Sequence, residues 1–173
     1  MQWFNHKATT AAITYTATGD LVATAVAAVS SVLPDFDFII GIQHRTYTHW
    51  PYPYLVIIGV LFLVYSIVDS LAAYYAAFVF AGCLLHVMAD ALSKGGVPLR
   101  LPTTPPVGLN LYKLKYPSEY ITAAFIVVVF GVIAWLRGIL AVEYLLVEAR
   151  RSQEMAQYFT MSVVALLSAH KGG

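Results

Sequence analysis

Charge is what this chain has least of. Lysine, arginine, aspartate and glutamate make up 11% of its 173 residues, where a soluble domain carries about a quarter. The formal net charge is only +1, so the polyelectrolyte surface that nucleic acid demands is missing and nucleic acid is excluded as a partner. Cysteine is nearly absent as well. Cys83 is the single one, which excludes an intramolecular disulfide framework and any cysteine-rich metal site. It fits best as a buried small hydrophobe. A basic segment ahead of the first apolar stretch is also lacking in "MQWFNHKATTAAITYTATGDLV", so this stretch does not have the pattern of a cleaved signal peptide. Internal repeats and low-complexity segments are missing too.

What is abundant is apolar surface. The chain is 60% hydrophobic with a mean hydropathy of +0.72, which defines an integral membrane protein, and its length suits one domain over 1–173. Two segments, 54–68 "YLVIIGVLFLVYSIV" and 71–92 "LAAYYAAFVFAGCLLHVMADAL", meet at a polar break, Asp69 and Ser70, and predict a transmembrane hairpin with a short first arm. A third span is expected over 120–142, with Arg137 snorkelling at its far end. Residues 143–154 are charged and helical in character. The apolar segment 155–169 is short enough to be either a tilted span or an interfacial helix. Between the second and third spans, residues 93–119 carry glycines and prolines that predict a loop. The expected fold is therefore all-α and polytopic, with three to four longer membrane helices. A metal-site core would occupy about 6–120 and C-terminal helices about 120–170.

The little charge present is not scattered. "LPDFDFIIGIQHRTYTHWPYPY", residues 33–54, holds Asp35, Asp37, His44, Arg45 and His49. Asp35 and Asp37 after Pro34 form an ordinary turn pattern, and carboxylates so spaced also ligate cations. "HVMAD" puts His86 and Asp90 four apart, on one face of a helix. An aspartate near the end of an apolar span needs a polar partner; a structural hydrogen bond between helices would satisfy it. Four of the five histidines, all but His170, lie in or beside these segments. An up-and-down hairpin returns Asp90 to the membrane side of the 35–49 loop, and Glu119 opens the third span from that same side. Convergence of three separated segments favours a metal site over isolated structural contacts.

His6 tests the N-terminal region. One straight helix over 8–33 would hold His6 and Asp35 roughly 40 Å apart. A turn at Gly19, with Asp20 beginning a second helix, folds the segment into a short hairpin of arms about 20 Å long and brings both ends together. This hairpin, entering the membrane partway or packing in the interior, is expected if His6 is a ligand.

In this order, a histidine near the start, "LPDFD", "HRTYTH" and "HVMADALSKGGVPLRLP" resemble the motifs of the YdjM-like family. These are bacterial and archaeal inner-membrane proteins, with LexA-regulated members, described as metal-dependent hydrolases through their likeness to zinc-dependent phospholipase C-like proteins. The resemblance runs over about 6–120 and covers His6, Asp35, Asp37, His44, Arg45, Thr48, His49, His86, Asp90, Gly96, Val97, Pro102 and Glu119. Thr46 stands where the family pattern has glycine, and Trp50 where it has a small hydroxyl residue.

The resemblance implies a ligand set of His6, Asp35, His49, His86, Asp90 and Glu119. That is more than one zinc ion with an open position requires. Imidazole and carboxylate without thiolate suit Zn, Mn or Fe, as one or two ions. Arg45 can neutralise a phosphate, or pair with Asp37 to shape the loop. Asp37 and His44 would act beside it, in catalysis or as orienters of the ligands, while Thr48 makes a loop hydrogen bond. The expected substrate is an amphiphilic small molecule, a phosphoester such as a lipid headgroup, because the site adjoins Trp50, Pro51, Tyr52 and Tyr54; an interfacial aromatic belt accounts for the same residues. Lys7, Arg45, Lys94, Arg100, Lys113 and Lys115 face Arg137, Arg150 and Arg151 across the membrane. The positive-inside rule then puts the site on the cytoplasmic side of the inner membrane. Two other functions compete: a non-catalytic membrane scaffold tied by a structural metal, and a metal transporter. The transporter needs a polar path through the membrane that the spans lack apart from Asp20, Asp69 and scattered Ser and Thr. Membrane lipid is the one partner these features name.

Overall fold

The computed structural model describes residues 1–39, 41 and 43–170. Among them are six α-helices and no strands: α1 Trp3–Thr18, α2 Leu21–Ser30, α3 Pro51–Val68, α4 Leu71–Ala91, α5 Pro117–Leu136 and α6 Val142–His170. Three of these, α3, α4 and α5, are long and apolar enough to cross a membrane.

The N-terminal segment does turn at Gly19. This residue sits in the left-handed region at φ 68° and its N–H caps the Tyr15 carbonyl, while the Asp20 carboxylate accepts from Ala23 N and starts α2. A glycine meets that conformation without strain, and an aspartate there satisfies one of the open N–H groups of the next helix. The two helices pack on each other. Their outer ends converge, since the His6 and Asp35 side chains reach a common group of ligand atoms. Similar punctuation separates α3 from α4: Asp69 takes φ 50° and the Ser70 hydroxyl accepts from Ala73 N. The third span is shorter than 120–142. It ends at Leu136, because Gly138 at φ 73° breaks the helix. Arg137, exposed beyond the end of α5, donates through Nη1 to the carbonyls of Thr16 and Ala17, the open end of α1, where a cation complements the helix dipole. The segments 143–154 and 155–169 form one continuous helix. The side chains at 162–163 and 165–170, His170 included, lie outside the described residues.

The packing is inverted relative to a soluble domain. Large aliphatic side chains such as Val56, Leu63, Ile67, Ile121 and Val128 point outward, and α3 buries none of its residues. The interior holds His6, Thr9, Thr10, Thr14, Asp37, His49, His86, Asp90 and Glu119. In lipid the aliphatic surface needs no covering, whereas every polar group needs a partner, so polar residues collect inside. Helix α1 lies against α2, α4 and α5 and is accordingly rich in threonine. Its hydroxyls bond back to carbonyls one turn earlier, Thr9 to Asn5 and Thr16 to Ala12. Thr16 Oγ1 also donates to the Phe130 carbonyl of α5 at 2.9 Å.

Close approach of α2 and α4 depends on small residues. A Cβ on Gly82 would stand 2.2 Å from the Ala27 carbonyl oxygen and 2.3 Å from Ser30 Oγ, the small-residue contact typical of membrane helices. Gly82→Leu is therefore expected to push α2 off α4 and destabilise the fold by about 1–3 kcal/mol, seen as a lower thermal midpoint in detergent. An unchanged midpoint would mean that the two helices do not approach so closely.

Candidate metal centre

Four chain segments meet where α3 and α5 begin and α4 ends. A 3-10 turn over Leu33–Phe38, opened by Pro34, carries Asp35 and Asp37. A second short turn, Tyr47–His49, carries His49. The last turn of α4 carries His86 and Asp90, and the first turns of α1 bring His6 onto them. The His6 and His86 rings are stacked, 3.7 Å between centroids.

Hydrogen bonding sets the tautomers. His86 Nδ1 lies 2.6 Å from the Ser31 carbonyl, which can only accept, so the proton sits on Nδ1 and a neutral ring leaves Nε2 bare. Thr48 Oγ1 donates to Asp37 Oδ2 at 3.0 Å and lies 3.0 Å from His49 Nδ1. Having spent its one proton on Asp37, Thr48 accepts from His49 Nδ1–H, and His49 Nε2 is bare as well. Burial lowers the His49 pKa despite the opposing pull of Asp35, which keeps the ring neutral.

These bare nitrogens face each other and two carboxylates. His49 Nε2 is 3.3 Å from His86 Nε2. Asp35 Oδ1 stands 3.5 Å from the first and 3.3 Å from the second. Asp90 Oδ2 stands 3.8 and 3.9 Å from the same two atoms. Lone pairs so disposed repel one another unless a cation lies among them. Ligands about 2.1 Å from a tetrahedral ion stand about 3.4 Å apart, and the observed separations bracket that spacing. His6 adds to the case. It is fully buried, burial drives its pKa down to about 4, and neither ring nitrogen has a hydrogen-bond partner among the described residues. Its Nε2 lies 3.4 Å from Asp90 Oδ1. A buried imidazole whose Nδ1 has no partner and whose Nε2 has only this long approach to Asp90 is costly unless something binds it. Three overlapping groups result, His6–Asp35–His86, Asp35–His44–His49 and His49–His86–Asp90, each with its ligand atoms within 4.8 Å.

The remaining predicted residues fall around this set. Asp37 is buried and belongs to none of the three groups; it pairs with His44 Nδ1 at 2.9 Å and holds Thr48. His44 is half-exposed. Arg45 does not pair with Asp37. In a left-handed conformation, φ 61°, it sends Nη2 to Asp90 Oδ2 at 3.1 Å and Nη1 to the Gly96 carbonyl at 3.1 Å. A Cβ on Gly95 would lie 1.8 Å from Nη1, so a larger residue there would displace the guanidinium. Asp90 Oδ1 also meets the α-ammonium of Met1 at 2.5 Å. Glu119 is turned elsewhere. Its carboxylate accepts from Gln2 N at 2.5 Å, Asn5 Nδ2 at 2.9 Å and Lys115 N at 2.7 Å, tying α5 to the start of α1. Glu119→Gln replaces one accepting oxygen with a donor and strands a buried N–H, so it should cost about 1–3 kcal/mol of stability while bound metal stays unchanged. Metal lost at an unchanged thermal midpoint would instead make Glu119 a ligand.

Sequence reasoning missed two contributors. Trp3 Nε1 donates to Asp35 Oδ2 at 2.9 Å, and Ser31 acts through its carbonyl. A main-chain acceptor leaves no trace in residue identity, and a tryptophan near the N-terminus looks like any interfacial aromatic. Thr48 was legible only as a loop hydrogen bond; its link between His49 and Asp37 required the fold. A cavity of about 290 Å³ opens beside the cluster, lined by Trp3, Asp35, His44, Arg45, Asp90 and Leu114 among others.

The fold and the site together define a helical membrane protein with a buried cluster of histidines and aspartates at one end of its bundle. The chain belongs to the YdjM inner membrane protein family, whose model matches residues 1–171. Comparison with curated proteins and with solved structures finds no match.

Proposed function

We propose that the chain is a membrane-embedded, metal-dependent hydrolase of phosphoesters, with a lipid headgroup or similar amphiphile as substrate and its site on the cytoplasmic side. The observation that carries this reading is the convergence of His49 Nε2, His86 Nε2, Asp35 and Asp90 without a proton to share, beside an open cavity. His6, Asp35, His49, His86 and Asp90 would hold one or two divalent ions, zinc being the best match to the donor set and manganese or iron also suiting it. Such an ion supplies Lewis acidity toward a phosphoryl oxygen and acidifies water.

The chain's own residues supply the rest. Arg45 lines the cavity and its fork suits two oxygens of a phosphate. The Asp37 carboxylate orients His44 through Nδ1, leaving Nε2 of this half-exposed ring to exchange a proton with the substrate's leaving oxygen. Trp3 and Leu114 wall the cavity and suit the apolar part of an amphiphile.

A second reading, a scaffold in which the ion only ties loops to helices, is favoured by the engagement of both Asp90 oxygens by Arg45 and the Met1 ammonium. Metal analysis of purified protein, combined with assays on chromogenic phosphodiesters and on phospholipid vesicles, separates the two. Bound metal with turnover supports the hydrolase; bound metal without turnover on any ester supports the scaffold; a metal-free protein that stays folded removes both.

A further inference from the structure

The loop between α4 and α5 carries an apolar face that the core does not use and the site cavity touches only through Leu114. Leu99, Leu101, Val107, Leu109, Leu111 and Leu114 are all exposed, Leu109 by 68%. The pattern is ordered. Backbone pairing of Val97 with Val107 and of Ser93 with Tyr112 ties the two limbs of the loop to each other. On the returning limb Leu109 and Leu111 are exposed on either side of Asn110, whereas Tyr112 is buried and donates to the Ala89 carbonyl. On the opposite limb Val97 and Pro98 are buried and Leu99 and Leu101 are exposed.

Charge on the same loop is of one sign. Lys94, Arg100, Lys113 and Lys115 are exposed, and no aspartate or glutamate lies between Asp90 and Glu119. Both ends of the loop continue into apolar helices long enough to cross a membrane, so its ends are tethered at the interface. Apolar side chains interleaved with cations, held at a membrane surface, match the composition of elements that lie in the headgroup layer. We infer that residues 98–116 dock into the anionic lipid leaflet on the site side, with Leu101, Leu109 and Leu111 inserted toward the acyl chains and Arg100, Lys113 and Lys115 at the phosphates. The docking stands independently of catalysis. If the hydrolase reading also holds, Leu114, which lies on this loop and on the cavity wall, makes the leaflet the source of the substrate.

The test is depth-resolved quenching in the intact chain. Leu101→Cys, Leu109→Cys, Leu111→Cys and Asn110→Cys are labelled with an environment-sensitive fluorophore in nanodiscs containing phosphatidylglycerol; the native Cys83 is buried and does not compete. Labels at 101, 109 and 111 are expected to be quenched by shallow spin-labelled lipid and to be about fivefold less open to aqueous iodide than the label at 110, as side chains at the acyl boundary are. Exchanging phosphatidylglycerol for phosphatidylcholine should narrow that difference. Equal iodide access at all four positions would overturn the docking. So would protection from both quenchers, which would mean that another protein surface, such as a second copy of the chain, covers the leucines. None of these readouts uses turnover, so they fail or succeed separately from the hydrolase.

Discussion

Replacing His86 with alanine is expected to abolish stable metal binding. The loss should be at least about 100-fold in affinity, because even partners that only orient a ligand contribute 10–100-fold. The expectation follows from position. His86 belongs to two of the three groups of converging ligand atoms, and its Nε2 stands 3.3 Å from both His49 Nε2 and Asp35 Oδ1. Its orientation is fixed from behind by the Ser31 carbonyl. The check is metal content after dialysis, together with competition against a chromophoric chelator. His86→Gln serves as a companion variant with a side chain closer in length. Helical content and the elution volume in detergent should stay near wild type in both, because without metal the substitution removes one of several mutually repelling lone pairs. Full metal occupancy in folded variants would sink the assignment.

Arg45→Lys is the second large effect, expected in turnover more than in metal content. The guanidinium spans two tasks, pairing with Asp90 and bonding the Gly96 carbonyl, while also lining the cavity. Lysine can keep the charge opposite Asp90 but cannot make both contacts or present a fork to phosphate. If Arg45 stabilises charge developing on the substrate, kcat should fall about 10²–10³-fold, the usual cost of losing one such donor, with KM and metal stoichiometry little changed. A merely structural Arg45 predicts a different signature: activity that falls in proportion to thermal stability and recovers when the variant is assayed at lower temperature. Arg45→Ala is the harsher change. It leaves Asp90 Oδ2 without its guanidinium, but the Met1 ammonium still meets Oδ1, so the destabilisation should stay below the cost of a fully stranded buried charge, about 3–5 kcal/mol.

Much of the fold was legible because membrane helices are written in composition. The breaks at Gly19, Asp69 and Ser70 could be seen in advance, each residue having a conformational or capping reason to stand where a helix ends. The end of α5 was not legible in the same way. The apolar run continues past Leu136, and only Gly138 in a left-handed conformation and the bonds of Arg137 to α1 stop it. Hydropathy registers neither.

What the sequence by itself determined is an all-helical membrane protein in which four of the five histidines and four of the nine acids lie in or beside the segments that form one end, since the alternation of spans alone brings Asp35, His49, Asp90 and Glu119 to one side. It could not sort that collection. Asp90 and Glu119 are both carboxylates at helix ends beside the same loop, yet one faces bare imidazole nitrogens and the other accepts three N–H groups. Which way each points depends on how α1 inserts between α2, α4 and α5, and on backbone donors at Gln2 and Lys115 that residue type does not encode. Tertiary structure made that choice, because the direction of a carboxylate follows the donors packed around it and those come from distant parts of the chain.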